Sequence, residues 1–213
     1  EVDNFLREYI EEEGAKPAFL GLYGFPGTAC ISINEEIVHG IPGDRQLLKG
    51  DLISIDCGAI VGGMYGDHAR TFIIENSSDE VKKKLISVAD KALEIGIKNS
   101  VSGNRIGVLS NAIEEFVLNE GFDVVREYVG HGIGSALHEP PSVPNFGKKD
   151  EGALLRVGMT IAIEPMVTEG KWQTKVMNDD WTIVTKDGKL SSHSEDTILI
   201  TENGPEVLTK ASN

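Results

Sequence analysis

The chain has 213 residues, 40% of them hydrophobic and 25% charged, enough for one sizeable soluble domain or two small halves around a common core. Acidic residues outnumber basic ones 34 to 20, and the formal net charge of −14 argues against nucleic acid or an anionic membrane as a partner. No run approaches the roughly 20 apolar residues of a membrane span, no secretory leader pattern is visible, and the two cysteines, Cys30 and Cys57, lie in apolar strand-like runs, which suits buried free thiols in a reducing compartment such as the cytoplasm.

In chain order, residues 2–13 read as a helix, with Phe5, Leu6, Tyr9 and Ile10 at helical spacing and Gly14 at its end. The glycine- and aromatic-rich stretch 20–28 is a loop. Residues 29–33 form a short strand, followed by the polar turn Asn34-Glu35-Glu36 and a closing segment IVHGIP. Strands are expected over 52–60 and 71–74. A helix over 81–99 is announced by Ser77-Ser78-Asp79-Glu80, and another over 106–119 ends at Gly121. Residues 157–167 read as one largely buried strand. Residues 181–185 and 196–201 are strands near an Asp187-Gly188 turn. No linker, low-complexity tract or charge block divides the chain.

Two segments look alike: NFLREYIEEEG from Asn4 and NAIEEFVLNEG from Asn111. Both place apolar residues at the same helical positions, end on glycine and lead toward short strands. A repeat of this kind implies one α+β domain over 1–213, made of related halves over about 1–76 and 77–213. The second copy follows the helix at 81–99, whereas nothing precedes the first, so the first helix of the N-terminal half is expected to be missing.

Five residues able to bind metal sit in apolar or glycine-rich surroundings: Asp56, Asp67, His131, Glu164 and Glu195. Buried carboxylates cost several kcal/mol unless something neutralises them, and a pair of divalent cations sharing ligands would do so. Asp56 and Asp67 flank CGAIVGGMYG. A hairpin turning near Val61-Gly62 sets them opposite each other on one face, where like charges call for a cation. His131 lies between glycines in YVGHGIG, which let backbones approach closely. Glu164 interrupts the apolar TIAIEPM, and Glu195 starts EDTILIT, where an acid alone is unremarkable. His39 is a candidate for touching a substrate. His68 falls on the opposite face from Asp67 and reads as solvated surface, and His193 sits in a serine-rich turn, SSHSED.

Read in order, NEEIVHGIP, SIDCGAI with GDHART, GHGIG, LHEPP, IAIEPMV and SEDTILIT resemble the motifs of the methionine aminopeptidases, over roughly residues 15–201. The spacing of Glu164 and Glu195, with no room for a helical insertion, is similar to the type I subfamily. The resemblance implies the pita-bread fold: two pseudo-symmetric halves and a curved antiparallel sheet with helices on its outer face. It implies two divalent ions (cobalt, manganese, iron or zinc). Asp67 and Glu195 would bridge them, Asp56 would complete one site, and His131 and Glu164 the other.

The implied reaction is removal of an N-terminal methionine by metal-activated water, favouring a small second residue. Glu164 would also shuttle a proton, His138 would stabilise the oxyanion, and His39 would contact the scissile amide or the second residue. By the same resemblance Phe19, Leu22, Phe25, Cys30, Leu137 and Trp181 would wall the methionine pocket. A monomer in transient contact with the ribosome is implied as well. The chain departs from the family at Leu22, Phe25 and Leu137, where aromatics are frequent, at His193, where glutamine is frequent, and at Asp196, where histidine is. A proline-type pita-bread aminopeptidase and a non-catalytic pita-bread peptide-binding module are the alternatives.

Overall fold

The computed structural model describes residues 1–75 and 78–210. Among the described residues the helices are α1 (Val2–Glu12), α2 (Glu80–Asn99) and α3 (Ile106–Asn119). The strands are β1 (Lys16–Pro17), β2 (Ala29–Ile33), β3 (Glu36–Val38), β4 (Leu52–Val61), β5 (Met64–Ile73), β6 (Asp123–Val124), β7 (Gly130–Gly132), β8 (Glu139–Val143), β9 (Thr160–Ile163), β10 (Met166–Thr168), β11 (Thr174–Val176), β12 (Ile183–Thr185), β13 (Ser191–His193), β14 (Glu195–Thr201) and β15 (Gly204–Val207).

Nine strands form one sheet in the order β1-β4-β5-β14-β9-β7-β8, with β2 added to β4 and β15 to β14. Its pairings are antiparallel throughout. Two small three-stranded sheets, β13-β10-β6 and β11-β12-β3, complete the sheet framework. The long β4–β5 ladder is closed by Gly62-Gly63, both at positive φ (59° and 85°), the backbone that a two-residue hairpin turn requires.

Helices α2 and α3 cover one face of the sheet. Leu85, Ala89, Ala92 and Leu93 of α2 and Leu109, Ile113 and Val117 of α3 bury against Ile161, Ile163, Ile198 and Ile200 of β9 and β14. Those isoleucines alternate with Ala162 and Thr197, so the opposite face of the same strands is free to carry polar chemistry. Gly96 is where the helices meet the sheet: a Cβ there would press on Ile113 and Ile163. The start of α2 is capped as the sequence suggests, with the Asp79 side chain accepting from the Val81 and Lys82 amides; Ser77 of the proposed start signal lies outside the described residues. The two look-alike helices close identically. Gly14 and Gly121 are left-handed (φ 76° and 86°), and the amides of Ala15 and Phe122 donate to the carbonyls of Ile10 and Val117.

Three expectations need correction. The stretch 157–167 is two strands, because Pro165 cannot donate to a ladder, and Glu164 stands in the break. The helix over 2–12 buries only Ile10 of its apolar stripe, with Phe5 and Tyr9 stacked on each other in solvent. The hairpin turn falls one residue later than expected, so Asp56 pairs with Ala69 and Asp67 with Gly58. The two acids are therefore diagonal rather than directly opposite. A two-residue change of partner keeps both on the same face, which is what the argument for a shared cation needs.

Candidate metal centre

Sheet register builds the site. Asp56, Ala69 and Glu195 form one row across β4, β5 and β14; Cys30 of β2 extends it, and Asp67 lies two residues from Ala69. Thr197, Ala162 and His131 form a second row across β14, β9 and β7. Each row has an alanine in its middle, and those short side chains leave space between the acids and the imidazole. The Thr197 hydroxyl joins the rows by accepting from the Asp67 amide at 2.9 Å and donating to its carbonyl. Glycines on both sides of His131 are obligatory. A Cβ at Gly130 would collide with the Ala162 carbonyl, and one at Gly132 with that of Pro140.

The five residues singled out in the sequence converge on one cavity of about 130 Å3. Asp56, Asp67 and Glu195 are buried, at 8%, 4% and 2% exposure, so Glu195 is no exposed strand-end acid. His131 Nδ1 lies 2.9 Å from the Gly132 carbonyl oxygen. A carbonyl only accepts, so Nδ1 carries the proton and Nε2 presents a lone pair. That lone pair faces Glu164 Oε1 at 3.6 Å and Asp67 Oδ2 at 3.9 Å, too far for a hydrogen bond.

Burial and mutual repulsion dominate the electrostatics of these acids. Burial, then the Asp67 charge, pushes Glu164 up to about 8. Burial pushes Asp67 up to about 6, and burial with neighbouring carboxylates raises Asp56 and Glu195 well above the carboxylate range. Burial holds His131 down at about 4. Four acids cannot all ionise here without cations among them. Asp56 Oδ1 and Glu195 Oε1 are buried with no hydrogen-bond partner. Two groups of side chains have donor atoms close enough to hold an ion: Asp67, His131 and Glu195, and Asp56, His193 and Glu195. Unpaired buried oxygens and a lone-pair imidazole fit divalent cations of the borderline class.

The cavity walls also contain every residue assigned to substrate by resemblance: Phe19, Leu22, Phe25, Cys30, His39, Leu137, His138 and Trp181. Phe25 and Trp181 meet edge to face at 5.1 Å. His138 lies edge-on to His131 at 4.5 Å between ring centroids. Burial keeps it below the usual histidine range and holds His39 at about 4, so both are neutral near pH 7. Tyr23 went unrecognised in the sequence, and His193 was placed near the pocket only by the resemblance and otherwise read as a turn residue. Tyr23, exposed and left-handed (φ 52°), stacks on His138 at 6.0 Å; its place in an aromatic, glycine-rich loop was the available signal. His193 is not in a turn: it ends β13 at 1% exposure, under the acids. His68 is on the outer face as expected, but it is tied to Asp196, which also pairs with Arg70 at 2.7 Å.

This fold and this site are those of a metallopeptidase: the chain belongs to metallopeptidase family M24, whose model matches residues 1–202. Within that family it groups with the methionine aminopeptidases. It is 48% identical over 209 residues to the methionine aminopeptidase of Clostridium perfringens, covering 98% of this chain and 84% of that protein. The crystal structure of methionine aminopeptidase from Thermotoga maritima superposes with a TM-score of 0.96 at 47% identity, covering 99% of this chain and 84% of that one. Prolidase from Pyrococcus furiosus shares the fold at a TM-score of 0.70 and 26% identity, over 87% of this chain and 49% of that chain. The curved antiparallel sheet with its helices is the pita-bread fold. Among the described residues, no helix is long and apolar enough to cross a membrane.

Proposed function

We propose that the chain removes the N-terminal methionine from polypeptides in the cytoplasm, with two divalent ions in the acidic cavity and a small second residue preferred. The observation that carries this reading is the adjacency of two environments. A floor of four carboxylates and a lone-pair imidazole meets walls of Phe19, Phe25, Leu137 and Trp181 within one cavity. Such walls suit a flexible, polarisable thioether side chain, and the cavity's small volume suits a chain end rather than an internal segment.

Asp56, Asp67 and Glu195 would hold one ion, and Asp67, His131, Glu164 and Glu195 the other. When bound, the ions supply Lewis acidity and lower the pKa of water at the site. Glu164 takes the proton of the attacking water and returns it to the departing amine. Its carboxylate lies at the cavity beside the ion-holding acids, within reach of a water between them and the substrate. His138, neutral and beside the His131 ring, donates a hydrogen bond to the developing oxyanion. His39 donates to the peptide group on the leaving side. Tyr23 and His138 narrow the mouth, which favours a small second residue.

Metal-depleted protein reloaded with cobalt or manganese should release methionine from Met-Ala-Ser and leave Ala-Pro peptides intact. Preferential cleavage of the proline peptides would move the chain to the proline-type enzymes. Turnover of neither substrate after loading would make it a peptide-binding module.

A further inference from the structure

We propose that His193 is a sixth metal-binding side chain, adding an imidazole to the ion that Asp56 and Glu195 hold; this rests on the dinuclear reading above. Its backbone is fixed from both sides. The His193 amide donates to Thr71 Oγ1, and the Thr71 hydroxyl bonds back to the His193 carbonyl, each at 2.9 Å. Thr71 is itself braced by Ser54 at 2.8 Å, and His193 pairs with Met166 across β10. The ring is thus delivered to one place.

In that place it has no protein partner. Neither ring nitrogen makes a hydrogen bond, although the residue is 1% exposed. A structural histidine removes the cost of burial by bonding its N–H and lone pair. This one instead aims Nε2 at two acids, 3.6 Å from Glu195 Oε2 and 3.9 Å from Glu164 Oε2. Those separations exceed a hydrogen bond but approach the spacing of two donors on one ion, about 3.4 Å for ligands near 2.1 Å in tetrahedral arrangement. The donor atoms of Asp56, His193 and Glu195 lie within 4.8 Å of one another, as do those of Asp67, His131 and Glu195. The two groups share Glu195, and each has two carboxylates and one imidazole.

Without His193, the ion beside Asp56 would have only oxygen ligands from the protein. An imidazole there raises the preference for cobalt, zinc or iron over manganese. The two ions of this chain should therefore bind with similar affinity and similar selectivity.

The test is cobalt titration of metal-depleted protein, read by calorimetry and visible absorption, in the parent and in His193→Gln. The expected result is two cobalt ions in the parent. In the variant the first ion is retained, and the second binds at least about tenfold more weakly, with a changed spectrum. Identical stoichiometry, affinities and spectra in both proteins would overturn the proposal while leaving the dinuclear reading intact. A parent that takes up no cobalt would overturn both. Should His193→Gln fail to fold, the parent alone decides. Loaded with cadmium-113, it should show nitrogen coupling to two histidines, His131 and His193; coupling to one would overturn the assignment.

Discussion

Asp56, Asp67, His131 and Glu195 lie within β4, β5, β7 and β14, where the ladders fix each side chain relative to the next. Apart from Cys30, which lies within β2, most of the walls above them are built otherwise. Phe19, Leu22, Tyr23 and Phe25 come from the segment between β1 and β2, Leu137 and His138 from the connection between β7 and β8, and Trp181 from the approach to β12. Groups that must hold ions need placement to a fraction of an ångström, which paired strands provide. Groups that choose a substrate can ride on short connections, where substitution alters shape without disturbing the sheet. Of the departures expected from the resemblance, those at Leu22, Phe25 and Leu137 fall on the walls, whereas those at His193 and Asp196 fall on the paired strands β13 and β14.

Changes to the floor should abolish the reaction, whereas changes to the walls should redirect or weaken it. The largest effect is expected for Asp67→Asn, which removes the carboxylate proposed to be shared by the ions: turnover of Met-Ala-Ser should fall at least about a thousandfold, since on the proposed mechanism several kcal/mol of transition-state stabilisation depend on the ions. Near-parental turnover by this variant would remove the floor from the chemistry. Next is His138→Ala, for which we expect kcat down by about 10²–10³, the usual cost of one oxyanion donor, with metal content unchanged on elemental analysis. A loss of bound metal would transfer His138 from wall to floor.

Trp181→Ala should act chiefly on binding. Removing a partly buried aromatic wall costs about 1–2 kcal/mol, so KM should rise roughly tenfold with kcat little changed. A fall in kcat alone would show that this wall takes part in the reaction.

The smallest effect is thermodynamic and concerns the floor without its ions. The buried acids have pKa values raised on folding, Glu164 to about 8. The native state then holds protons that the unfolded chain has released, and stability falls as pH rises from the ordinary carboxylate range toward 8. The lowered histidines oppose this trend only up to their ordinary value of 6.5. Between pH 6.5 and 8 the melting temperature of metal-depleted protein should therefore drop by a few degrees, and that of loaded protein should stay level. A level curve for the metal-depleted form would mean that the acids are already neutralised within the protein.

Much of this was legible in the sequence for specific reasons. The helices at 80–99 and 106–119 were marked by periodicity, the Asp79 cap and Gly121. Asking why acids stand in apolar strands singled out Asp56 and Glu164, the flanking glycines marked His131, and Glu195 stood out only through the family resemblance. The register of β4 on β5 was not legible, because CGAIVGGMYG permits a turn on either side of Gly62; only the face was secure. The division of 157–167 was missed because apolar composition continues through the break and only Pro165 marks it. The burial of His193 was missed for a different reason. A serine-rich stretch with one histidine looks like surface turn, and its burial arises from tertiary pairing with Met166 and from Thr71, more than a hundred positions away.

Glu164 differs from the other acids of the floor in standing between strands rather than within one. The ladders hold Asp56, Asp67 and Glu195 at set spacings, so these three define a template of nearly constant dimensions. Glu164, next to a proline and with its carbonyl accepting from the Asn145 amide at 3.0 Å, can shift its carboxylate without unzipping a pair of strands. In the proposed centre, adjustment to ions of different radius would therefore fall to this one residue, like the movable jaw of a vice whose other faces are cast.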